Sequence, residues 1–183
     1  MDRTKVQNLI TAAATAVVAA AAAAAGAAAA QEPKYNELKP TSEAPHVRPS
    51  DVPFRTDEIE IVLPGNGARG GELEYKFRMK KGQAIVYSWS ETGTPADEFY
   101  FDLHGHATTA SANGEFDLAN YHKESKDKGA GSLVAAVDGV HGWFFQNGGE
   151  KTATVTIKVA GFYELIPPGE VGNEAGIKAK GQR

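Results

Sequence analysis

The chain has 183 residues, no cysteine and a formal net charge of −4. The missing cysteine excludes disulfides, thiol catalysis and thiolate metal sites. A pI near 5.7, with 19 basic against 23 acidic residues and no basic stripe, argues against nucleic acid as a partner, since phosphate contacts need clustered Lys and Arg.

The N-terminus reads as an export element. Arg3 and Lys5 precede a stretch, Leu9 to Ala30, that has no charged residue and is dominated by Ala. A basic start, an apolar run and small residues before a polar stretch make a secretory signal, and Ala28-Ala29-Ala30 fits an A-x-A cleavage site ahead of Gln31. The same Ala-rich helix is long enough to span a bilayer at ~20 residues. Cleaved signal and retained anchor both remain open. In either case the basic end stays in the cytoplasm and the rest is translocated, so an extracytoplasmic, periplasmic location is expected, with membrane contact through residues 9–30 if the segment is uncut.

Residues 31–54 follow as a linker. Pro33, Pro40, Pro45, Pro49 and Pro53 lie among polar residues and block both helix and ladder pairing. The expected form is extended, at ~3.1 Å per residue where it is polyproline II.

Residues 55–167 then read as one all-β domain. Ile59, Ile61 and Leu63 share one face of a first strand. Leu73, Tyr75, Phe77 and Met79 alternate with Glu72, Glu74, Lys76 and Arg78, which predicts a strand with one buried and one wet face. Lys81-Gly82 marks a turn. Gln83–Ser90 is β-rich, Phe99, Phe101 and Leu103 alternate with polar residues, and Ser132–Val137 and Trp143–Gln146 are short apolar runs. In Lys151–Val159, Ala153, Val155, Ile157 and Val159 oppose Thr152, Thr154, Thr156 and Lys158. Short strands at this spacing, separated by Gly-rich turns, predict an antiparallel β-sandwich or barrel. Ala107–Gly131 reads as a long polar connection, with one helical turn near Phe116–Tyr121. The stretch 168–183 reads as a disordered tail.

Three features invite a chemical reading. Gly65-Asn66-Gly67-Ala68-Arg69-Gly70 matches the dinucleotide-binding glycine pattern but leads into a strand, where phosphate binding needs a helix; it reads as a hairpin loop. The aromatic set Tyr87, Trp89, Trp143, Phe144 and Phe145 reads as core, with a carbohydrate or lipid groove as the alternative. Lys123–Lys128 mixes both charge signs and reads as a solvated loop tip.

The sharpest feature is Asp102-Leu103-His104-Gly105-His106. With Leu103 on the core side, Asp102, His104 and His106 project together from the other face. Alternate residues of a strand are close enough for two imidazoles to share a metal ion. Histidine with carboxylate suits zinc, copper or nickel. A further ligand is expected from His122 or His141. The competing reading makes the histidines solvated or hydrogen-bonded residues at a strand end, with Gly105 at a bulge. No residue announces itself as catalytic.

The ending Gly142-Trp143-Phe144-Phe145-Gln146-Asn147, with Lys151–Val159 and Gly161-Phe162-Tyr163-Glu164, resembles the last two strands of GOLD-like β-sandwich domains. It is similar as well to small bacterial membrane-associated proteins called transmembrane anchor proteins. The resemblance implies an aromatic core strand turning into a Thr/Val-rich one, a jelly-roll or GOLD-like sandwich, and an extracytoplasmic domain behind a membrane segment. It transfers no site residue. Three functions are therefore expected in order: a non-enzymatic module binding a protein partner or small ligand; a periplasmic Zn- or Cu-binding protein; and a hydrolase or sugar-modifying enzyme.

Overall fold

A computed structural model describes residues 49–65 and 71–182. The Ala-rich segment, most of the linker and most of the glycine-rich loop lie outside the described residues.

The described chain is all-β. Ten strands run β1 Phe54–Leu63, β2 Glu72–Met79, β3 Ala84–Thr92, β4 Phe99–Ala107, β5 Leu118–Ser125, β6 Lys128–Val134, β7 Gly139–Asn147, β8 Ala153–Phe162, β9 Glu164–Leu165 and β10 Lys180–Gln182. They form two five-stranded antiparallel sheets, ordered β10-β1-β8-β3-β6 and β5-β4-β7-β2-β9.

The inward positions are the apolar ones that alternation marks. Ile59, Ile61 and Leu63 of β1 and Val155, Ile157 and Val159 of β8 meet Tyr75, Phe77 and Trp143 from the other sheet. Aromatic rings knit the two layers, with Tyr87 against Trp143 at 5.0 Å and Trp89 against Phe145 at 5.4 Å between centroids. Burying side chains of this size contributes ~2–3 kcal/mol each, which is how the sandwich dispenses with disulfides. Of the five aromatics weighed as a groove, Trp89, Trp143 and Phe145 are core, Tyr87 is partly buried, and Phe144 faces outward beside Tyr100. Asp57 is the buried position of β1 that is not apolar. It is satisfied by the Tyr163 hydroxyl at 2.6 Å and by Arg55.

The structure corrects several expectations. The supposed connection Ala107–Gly131 contains β5 and the start of β6, and Leu118–Tyr121 is strand where a helical turn was expected. Strand β5 lies at a sheet edge and is half-exposed or exposed at every position, so it carries no apolar alternation to read. Strands β1 and β2 belong to different sheets, so the glycine-rich loop joins layers and is not a hairpin.

The stretch expected to be a disordered tail is folded. Asn173 is buried, its amide donates to the carbonyls of Ile166 and Ile177, and the Ile177 N–H donates to its Oδ1. Beyond it, β10 pairs with β1 at Thr56–Glu58. Hydrogen bonds and turns hold this segment, and neither leaves a hydrophobic period in the sequence.

Candidate metal centre

The centre lies on the outer face of the second sheet. Register places His104 of β4 opposite Gly142 of β7, and Gly142 opposite Lys76 of β2. One row over, Asp102 opposes Phe144, which opposes Glu74; on the other side, His106 opposes Val140, which opposes Arg78. Gly142 leaves the middle of the central row empty. The Lys76 and His104 side chains therefore meet across an intervening strand, with Nζ 2.5 Å from Nε2. No larger residue fits there, because a Cβ on Gly142 would lie 2.2 Å from the Tyr75 carbonyl oxygen.

Around that contact the charges converge. Glu74 Oε1 is 3.1 Å from His104 Nε2 and 3.5 Å from Lys76 Nζ. His104 Nδ1 is 3.2 Å from Asp102 Oδ1. His104 Nε2 thus lies between the Lys76 ammonium and the Glu74 carboxylate, while Nδ1 is 3.2 Å from both the carboxylate and the backbone carbonyl of Asp102, which fix the ring orientation. The His106 ring stands edge-on to His104 at 4.8 Å between centroids. Glu74, His104 and His106 each offer a donor atom, all within 4.8 Å of one another.

Burial here comes from the C-terminal segment. The Lys76 N–H donates to the Gly172 carbonyl at 2.8 Å, and Gly172 sits at φ +93 with no space for a side chain between Ile166 and the Lys76 stem. Lys76, expected on a wet face, is 0% exposed. Burial lowers its pKa to about 8, against the opposing pull of Glu74. The His104 hydrogen bond, with the neighbouring cationic groups, lowers Glu74 to about 2 despite its partial burial. Burial, then the charges of Lys76 and His104, lower His106. A neutral imidazole and an ionised carboxylate are the forms that ligate metal.

The cluster is open on one side. Glu74 and His106 line a cleft of about 660 Å³ together with Arg78, Val140 and Gly172. Glu74, His104 and His106 are the residues that would hold a divalent ion here, an imidazole and carboxylate donor set that suits zinc or copper.

The sequence-predicted residues divide cleanly. His104 and His106 come together, and Asp102 stands behind His104 as its orienting carboxylate. His141 does not join them. It pairs with Gly105 and Phe77, so it points to the opposite face of the sheet, fully buried, with Nε2 2.9 Å from the Val137 carbonyl and Nδ1 2.9 Å from the Tyr121 hydroxyl. His122 does not join either. It opposes Leu103 on the edge strand, packs against the Phe101 ring and lies 3.7 Å from Glu124. The third donor is Glu74, which alternation put on a wet face but could not place beside His104, two strands away.

No family model matches the chain, and no curated protein matches it.

Proposed function

We propose that the chain is a non-enzymatic extracytoplasmic β-sandwich module whose small ligand is a transition-metal ion, Zn2+ or Cu2+, bound by Glu74, His104 and His106. The observation that carries this reading is the convergence of three metal-ligating side chains, from two strands that are not neighbours, at the mouth of a cleft. Asp102 supports it as the carboxylate behind a ligating histidine. Lys76 supports it in a different way: its ammonium stands where Glu74 and His104 already hold a cation, and a metal ion would displace it.

The extracytoplasmic place rests on the basic start and uncharged run of residues 1–30, whether that run is an Ala-rich anchor helix or a signal cut after Ala30. The finer architecture is taken as jelly-roll or GOLD-like, in keeping with the resemblance of the Gly142–Glu164 ending to anchor-type membrane-associated proteins.

Calorimetric titration of Zn2+ and Cu2+ into the purified chain tests the site. The expected result is submicromolar binding that His104→Ala/His106→Ala weakens at least ~100-fold, or ~2.7 kcal/mol. Binding no tighter than that of an ordinary surface histidine pair overturns the metal reading.

A further inference from the structure

The outer face of the first sheet ends in an apolar band. Phe54 of β1 opposes Phe162 of β8, Ala84 of β3 opposes Val134 of β6, and Val86 opposes Ala160 one rung further in. Ala84 and Phe162 line one shallow groove, which joins these pairs across the sheet. Phe54 is 62% exposed, Val86 57% and Val134 53%. The Phe54 and Phe162 rings meet edge to face, 5.6 Å between centroids, and so form one continuous apolar surface. Past Thr56 and Ser132 the face turns polar, through Glu58, Lys158 and Ser88. Scattered exposed apolar residues are ordinary; a contiguous band marks a contact surface.

Its position points to what covers it. Phe54 directly follows Pro53, so the band lies where the chain from the Pro-rich linker enters the sandwich. Upstream of that linker are the uncharged residues Leu9–Ala30. The short stretch of sequence between Ala30 and Phe54 keeps the entry end of the domain within reach of any bilayer that holds the uncharged segment. Among the described residues, the groove shared by Ala84 and Phe162 is rimmed by Lys80 and Lys81 in the β2–β3 turn, with Asp51 lining it and Asp138 accepting from the Lys81 N–H. Aromatic and aliphatic groups beside lysines suit the boundary between acyl chains and anionic headgroups.

We infer that this band is a membrane-docking face: Phe54, Phe162, Val86 and Val134 contact the acyl boundary of an anionic bilayer while Lys80 and Lys81 meet headgroup phosphates. The inference rests on residues 9–30 lying in that membrane. It lays the sandwich on the bilayer by its linker end.

The chain has no cysteine, so single labels are clean. Val86→Cys and Thr92→Cys place an environment-sensitive fluorophore on the same face of β3, ~20 Å apart. The full-length chain is reconstituted in phosphatidylglycerol/phosphatidylethanolamine vesicles and, for comparison, in phosphatidylcholine vesicles. In the anionic vesicles the label at 86 is expected to shift to the blue and to be quenched several-fold more by doxyl lipid than the label at 92. Lys80→Glu/Lys81→Glu should reduce that difference. Flotation with both labels equally wet overturns the docking face and leaves the tether standing. No flotation overturns both. Protection of position 86 without lipid, growing with protein concentration, assigns the band to a second copy of the chain and overturns membrane docking.

Discussion

Lys158 and Lys76 occupy comparable places on the two sheets. Each lies on an outward position of a strand paired on both sides, and each alternates with buried apolar neighbours. Lys158 has a side chain 67% exposed, with Glu58 4.0 Å away. Lys76 has a side chain 1% exposed, held by Glu74 and His104 under Gly172. The first sheet keeps an open outer face at Lys158; on the second, the segment after β9 covers Lys76. Period-2 patterning tells which way a side chain points, but not whether something lies on top of it.

The comparison breaks most severely at Gly142. Gly142→Ala drives a Cβ into the Tyr75 carbonyl and should cost ~3 kcal/mol or more, read as a fall in the denaturant midpoint. An unchanged midpoint would mean that β2 and β7 can part without loss, and the close approach would then have no structural role.

The next effect is a pH dependence. Between about 8 and 10.5, the Lys76 proton is bound in the unfolded chain but not in the folded one. Stability should therefore rise with pH through that window, by ~2–3 kcal/mol, and lose this contribution as pH falls through about 8. Lys76→Met should flatten the slope, as measured by denaturant midpoints across the window. A slope that persists in this variant would place its origin elsewhere.

The smallest effect belongs to the open face. Lys158→Met should change stability by less than ~0.5 kcal/mol and leave the slope in place, because an exposed pair at the edge of contact distance contributes little. A larger loss would show that the two faces are less different than their exposure indicates.

Much of the architecture was legible in the residues. Strands β1, β2 and β8 announce themselves, since each has one apolar and one polar face. The Asp102–His106 parity was legible for the same reason. Edge strand β5 was not, because a strand exposed along its length has no reason to alternate. Glu74 was not, because its nearness to His104 depends on the order of β4, β7 and β2, a long-range pairing that local pattern does not encode. The face that His141 takes was not legible either, because it depends on register. One residue separates it from Gly142, and a one-residue step on a strand reverses the face. The folded segment after β9 was not legible because Asn173 and the Gly172 carbonyl hold it, and such anchors look the same in sequence as loop residues.

Gly142 donates no side-chain atom to anything, yet it determines whether Lys76 and Glu74 can reach the histidines at all. A survey of variants that scored only donor atoms would rate Gly142→Ala as intact, with every ligand retained. Here an unfilled volume is inherited like a functional group, and one codon change there would separate the two halves of the centre while altering none of the residues that form it.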